Sequence, residues 1–183
     1  MAVVVLLNLG YLIRNWLVFG NLMGGGSQVQ YFTNEAFNLR IILSNLLRNA
    51  SLHAGTPWPK WNDALYSLIA KMHWKLELDL TDARTSMHPY FTIWNYPANE
   101  ARAANTIQAV MLLAAYLLAV VRWRQTKPAT RWFGLALLAG FLVFVSLFKF
   151  DLLGSRYHMP FFLLAAPFVA SILAPLLPPI GLG

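Results

Sequence analysis

Residues 106–148 read TIQAVMLLAAYLLAVVRWRQTKPATRWFGLALLAGFLVFVSLF, two apolar runs separated by a short connection that carries Arg122, Arg124, Lys127 and Arg131. A membrane-crossing helix needs about 20 predominantly apolar residues, and Thr106 to Val121 and Trp132 to Phe148 approach that length. Cations gathered in a short connection stay on the cytoplasmic side, so this stretch also sets a topology. Residues 106–121 arrive at the cytoplasm, 122–131 form the cytoplasmic loop, and 132–148 lead outward. A further run over 158–177 returns, followed by a tail over 178–183. Residues 20–105 and the loop 149–157 then share the extracytoplasmic side. Arg40 and Arg48 do not contradict this sidedness, because cations in long loops vote weakly.

Composition agrees with a membrane solvent. Hydrophobic residues make up 58% of the 183-residue chain and charged residues 11%, against roughly 25% charged in soluble proteins. The net charge of +7 raises nucleic acid as a partner, but no dense basic run interleaved with aromatics provides the footprint, and that class is set aside. The absence of cysteine excludes disulfides and thiolate ligands. Residues 1–19 read as another span, interrupted by Arg14 and Asn15 and short enough to have lost its start. No basic residue precedes it and no small-x-small cleavage site follows, so a span is preferred to a secretory signal. The expectation is an all-α integral membrane protein with about four transmembrane helices and an extracytoplasmic segment of amphipathic, interfacial helices.

Within 20–105, Gly24-Gly25-Gly26 lacks the context of a phosphate loop and reads as a flexible connector. Asn34 is placed to cap a helix in which Leu39, Ile42, Leu43, Leu46 and Leu47 repeat at three and four. Asn45, Asn49 and His53 fall four apart on another face and predict a hydrogen-bonded seam between helices rather than a ligand site. After Pro57-Trp58-Pro59, one helical face collects Trp61, Ala64, Leu65, Leu68, Ile69, Met72 and Leu76, as suits a membrane interface. His73 and Glu77 are two metal-type ligands without a third, and read as a solvated helix end. Leu76-Glu77-Leu78-Asp79-Leu80 alternates like a brief strand, and Asp79 and Asp82 suit turns and caps.

Candidate site residues lie at two helix entrances. Before Thr106, Glu100, Arg102 and Asn105 stand among amides and aromatics, with positions 99, 102 and 106 on one helical face. Two readings stay open there: a cleft, or a polar helix entrance with aromatic anchors. At Gly154-Ser155-Arg156-Tyr157-His158-Met159-Pro160, an arginine and a histidine stand at a membrane entrance, where ionisable groups are costly without water, a partner or an anionic ligand. Two residues apart on a regular helix they diverge, so an irregular entrance is needed for them to converge. The planar fork of Arg156 suits a phosphate; the competing reading pairs it with Asp151 as a surface ion pair worth under about 1 kcal/mol. Pro160, Pro167 and Pro175 bend the final run.

Arg14-Asn15-Trp16 followed by Phe19-Gly20-Asn21 resembles the R-N-(W/Y) and F-G-N-P segment that follows a span in bacterial membrane glycosyltransferases of the GT-C class, which includes aminoarabinose transferase, the protein mannosyltransferases and RgtA/B/C/D-like enzymes. Leu22 stands where that segment usually carries proline. Ser44-Asn45-Leu46-Leu47-Arg48-Asn49 with His53 and Gly55-Thr56-Pro57, then Asp82-Ala83-Arg84-Thr85, is similar to one branch of the class, and residues 154–160 resemble its R-(Y/L)-H-L-P helix entrance. The resemblance implies a multi-pass protein of the bacterial inner membrane. Its activity would be transfer of a sugar from a polyprenyl-phosphate donor to a glycan, lipid or protein acceptor at the extracytoplasmic face. Arg156 and Arg14 or Arg102 would meet the donor phosphate, with Tyr157, His158 and Asn105 nearby. The class keeps its catalytic carboxylate in a first external loop, and a divalent metal, where one is used, is expected there. On this reading the chain is a C-terminal portion, inactive alone, with no metal site of its own and Glu100 as a weak substitute base. The alternative is a non-catalytic membrane assembly partner or a degenerate remnant.

Overall fold

The computed structural model describes residues 2–22, 24–94 and 104–176. Among these residues the protein is all-helical, with two isolated backbone bridges and no strand. Seven α-helices follow in order: α1 (Ala2–Phe19), α2 (Gly26–Phe32), α3 (Leu39–Ser51), α4 (Pro59–Lys75), α5 (Thr106–Val121), α6 (Pro128–Leu147) and α7 (Met159–Leu173). Short 3-10 turns, Gly154–His158 and Ala174–Leu176, extend α7 at both ends. Two of the described segments are long and apolar enough to cross a membrane, Pro128–Leu147 and Gly154–Leu176. Helix α5 is as apolar but has 16 residues, short of the roughly 20 a full crossing takes.

Helices α5, α6 and α7 pack on one another through small residues. Ala115 and Ala119 of α5 are buried against Phe168 of α7, and small side chains let the helix axes approach. Tyr116 Oη donates to Gly134 O at 2.8 Å, tying α5 to α6. Gly134 has no room for a side chain, since an added Cβ would lie 2.6 Å from Phe168 Cε2. Gly134→Ala is therefore expected to push α6 from α7 and to cost roughly 1–3 kcal/mol. Thermal unfolding checks it, and combining the change with Phe168→Leu should recover part of the loss. A melting point unchanged by Gly134→Ala alone would exclude this contact.

The other half is a lobe formed by α2, α3, α4 and residues 76–94, built around Leu52, Ile69, Phe91, Phe150 and Leu152. Two of these five, Phe150 and Leu152, come from the segment expected as an exposed loop. Instead of skirting the surface, residues 147–152 run through the lobe as a strap. Its backbone polar groups must then find partners inside the protein: Asn34 N–H donates to Leu147 O, Lys149 N–H to Phe32 O, Phe150 N–H to Thr85 O and Met87 N–H to Phe150 O.

Several local expectations are corrected. The cap of α3 is Asn38, whose Oδ1 accepts from Ile41 N–H at 2.9 Å; Asn34 instead donates through Nδ2 to Val145 O and Ser146 O at the end of α6. Gly24 and Gly25 connect, but Gly26 already opens α2. Leu76–Leu80 is no strand. Glu77 takes a left-handed conformation, φ 56, while Glu77 N–H bonds Trp74 O and Leu78 N–H bonds His73 O, the reciprocal pair that closes a helix C-terminus. The apolar face of α4 is divided: Ile69 and Leu65 pack into the lobe, while Trp61 and Leu68 point outward. Asp79 and Asp82 hold turns, accepting from Thr81 N–H and Arg84 N–H. The Arg84 guanidinium keeps the Asp82 carboxyl below its ordinary range.

Candidate functional site

The Asn45, Asn49, His53 stripe is a seam, as its spacing predicts. Asn45 Nδ2 donates to Val145 O of α6 at 3.0 Å, Asn49 Nδ2 to Asn45 O, and His53 reaches His158 at the start of α7, Nε2 to Nδ1, at 2.7 Å. Thr106 Oγ1 donates to Gly55 O. The start of α5, the end of α6 and the start of α7 are thereby fastened to the lobe, and the Arg122–Arg131 connection lies at the opposite end of the three helices.

The histidine pair has an assignable proton order. Asn105 N–H donates to His53 Nδ1 at 3.3 Å, so this nitrogen is the unprotonated one and the His53 proton resides on Nε2. That N–H donates to His158 Nδ1, which leaves the His158 proton on Nε2, where it meets no acceptor among the described residues. Aromatic rings surround the pair: Phe162 lies edge-on to His53 at 4.9 Å, and Phe141 and Phe144 edge-on to His158 at 5.2 and 5.4 Å. Burial pushes the His53 imidazole down to about 4. Kept neutral and away from solvent, this pair holds helices together and is unsuited to exchanging protons with a bound substrate.

Arg156 has the opposite environment. The turn Gly154–His158 keeps the two side chains apart: His158 is buried, while Arg156 and Tyr157 are exposed beside it. Arg156 Nη2 donates to Tyr157 Oη at 3.0 Å and the guanidinium lies over the same ring at 5.0 Å. Most of its five N–H donors remain for an anion. The rival partner is engaged elsewhere, since Asp151 Oδ1 accepts from His88 Nε2 and from Leu153 N–H, both at 2.9 Å.

The structure thus joins Asn105 to His158 through His53, and sets Arg156 and Tyr157 at the surface of the same helix entrance. Arg14 is exposed on α1. Glu100 and Arg102 lie outside the described residues. His73 is not at a solvated helix end: it is buried, its Nδ1 donating to Ile69 O and its Nε2 accepting from Ser44 Oγ, both at 2.8 Å. Among the described residues no group of three His, Asp or Glu could hold a metal. Beside the entrance, Ser51, Gly55, Thr92 and Trp94 border a cavity of about 10 Å³, room for roughly one water.

Sequence reasoning missed Arg48, the centre of the lobe. Its side chain is fully buried; Nη1 donates to Leu80 O at 3.1 Å, and Nη2 donates to Thr85 Oγ1 at 2.9 Å, Thr85 O at 3.3 Å and Asn45 Oδ1. The available signal was its place four after Ser44 and three after Asn45, on the face of α3 that carries the polar stripe.

No known protein family, curated protein or solved structure matches the chain.

Proposed function

We propose that the chain, with about four spans, is the C-terminal portion of a larger multi-pass bacterial inner-membrane glycosyltransferase of the GT-C class. It would bind a polyprenyl-phosphate-linked sugar at the extracytoplasmic face. Membrane residence is supported by exposure: only 11% of the apolar window of α6, and 17% of that in Gly154–Leu176, is buried within the protein. Such helices left in water would present an apolar surface far larger than soluble proteins carry.

The observation that carries the ligand reading is the exposed guanidinium of Arg156 at the lobe-side end of α7. There it would neutralise charge on the departing polyprenyl phosphate as the sugar leaves. Tyr157 holds the guanidinium, and His53 with Asn105 fixes the turn through His158. No residue described here is assigned as the base. A charged hydrogen bond contributes about 1.5–3 kcal/mol, so Arg156→Ala in the complete protein should slow transfer about 10- to 150-fold. Release of free polyprenyl phosphate from a lipid-linked sugar donor in isolated membranes measures it. Undiminished release at wild-type expression would remove Arg156 from the reaction.

The cavity bordered by Ser51, Gly55 and Trp94, which has room for about one water, favours a second reading, a non-catalytic assembly partner in the membrane. Donor turnover by the wild-type complete protein separates the two.

A further inference from the structure

At the end of the helices away from the lobe, residues of α5, α6, α7 and the connection between α5 and α6 line a cavity of about 470 Å³. Arg122, Gln125, Lys127 and Thr130 give its lining polar groups, and Leu118, Ile172 and Pro175 an apolar wall. The connection that supplies most of these polar groups is folded. Gln125 N–H and Thr126 N–H both donate to Arg122 O at 2.9 Å, and Thr126 Oγ1 donates to the same oxygen at 3.0 Å. Arg131 turns instead onto the Trp123 ring at 4.8 Å. Arg122 and Lys127 are exposed, and among the described residues neither belongs to an ion pair. From Thr106 to Phe148 the sequence holds Arg122, Arg124, Lys127 and Arg131 and no carboxylate at all, so nothing within these helices neutralises the rim.

We propose that this cavity binds the headgroup phosphate of an anionic membrane phospholipid. Arg122 and Lys127 meet the phosphate, Gln125 and Thr130 meet the ester and headgroup oxygens, and the acyl chains leave past Leu118 and Ile172. Charge selects an anion, and the apolar wall selects a lipid over free phosphate. That wall continues into the exposed apolar face of α5, where Val121 is 81% exposed. Basic pockets between helices at the cytoplasmic surface are the usual seat of such headgroups. The site rests on the membrane reading above and is independent of sugar transfer.

The test is native mass spectrometry of the full chain released from detergent, with phosphatidylglycerol, phosphatidylcholine and inorganic phosphate as probes. The wild type should retain phosphatidylglycerol in preference to phosphatidylcholine. Each surface cation adds about fivefold, so R122Q/K127Q should weaken phosphatidylglycerol about thirtyfold, whereas R122K/K127R and the lobe-side R40Q/K75Q should not. Equal retention of both lipids, unchanged affinity in R122Q/K127Q with wild-type helicity, or displacement of lipid by millimolar inorganic phosphate would each overturn the proposal. Alkaline extraction of membranes separates its failure from that of the underlying reading: chain in the supernatant defeats membrane residence, whereas chain in the pellet without lipid preference defeats only the site.

Discussion

Arg48→Ala is expected to remove roughly 3–5 kcal/mol of stability, the cost of breaking a buried charged network from one side. The guanidinium gathers the Leu80 and Thr85 carbonyls, the Thr85 hydroxyl and Asn45, and rests on the Phe150 ring at 5.2 Å. It thus links α3, the 76–94 segment and the 147–152 strap at one point. Desolvation lowers the Arg48 pKa from its ordinary value to about 10, with Asp82 and Asp79 opposing. Because a lowered folded-state pKa marks a charged form that burial disfavours, the charge itself costs the lobe about 3 kcal/mol at neutral pH. This cost is relieved only above about pH 10, so the effect of the mutation should be flat from pH 7 to 9. Hydrogen bonds to the two carbonyls offset it. Arg48→Met tests that balance: it removes the buried charge and keeps much of the volume, but leaves Leu80 O and Asn45 Oδ1 without the donor they have in the wild type, while Thr85 O keeps Phe150 N–H, so it should still destabilise, by less than alanine. Unfolding in detergent followed by tryptophan fluorescence measures both variants, and an Arg48→Met protein as stable as wild type would show that the carbonyls need no donor.

Acidification is the second large effect. His53 titrates at about 4 in the folded protein because burial disfavours its charged form, against about 6.5 in an unfolded chain. Between these values the unfolded chain binds a proton that the folded chain refuses, so stability is full above about pH 6.5 and falls as pH drops toward 4. The whole titration is worth about 3 kcal/mol. His73 contributes in the same direction, its pKa lowered chiefly by desolvation. Protonating His53 also destroys the acceptor for Asn105 N–H and so loosens the start of α5. His53→Gln keeps a donor toward His158 but does not titrate. The unfolding midpoint should therefore fall steeply in the wild type between pH 7 and pH 4.5, and less steeply in His53→Gln. Identical slopes would rule out His53 as the acid-sensitive group.

The two effects fall on different levels of legibility. The helices could be read along the chain because their signals are local: apolar runs for α5, α6 and α7 and a three-and-four repeat for α3. Pro128 and Pro160, read as loop and bend, instead open α6 and α7, where a missing N–H costs nothing. The polar seam was legible because Asn45, Asn49 and His53 share one helical face. Hidden from sequence was everything that needs two distant segments. His53 and His158 are 105 residues apart, and neither has a neighbour in sequence that hints at the other. Asn34 looked like a cap because capping residues and helix-anchoring residues are the same amides. Lys149 to Leu152 looked like a loop because a strap that buries its backbone differs from one that does not only in where its partners lie.

Taken by itself, the chain's order of residues determined an all-helical protein, helices long and apolar enough to cross a membrane and the placing of four cations in one connection, since hydropathy and charge act over neighbouring residues. Only the tertiary structure decided that Arg48 is buried while Arg156 is exposed. Both are arginines flanked by polar and apolar neighbours. Burial of a guanidinium becomes tolerable only where several carbonyl and side-chain oxygens from separate segments converge on it, and that convergence exists only once the chain has folded.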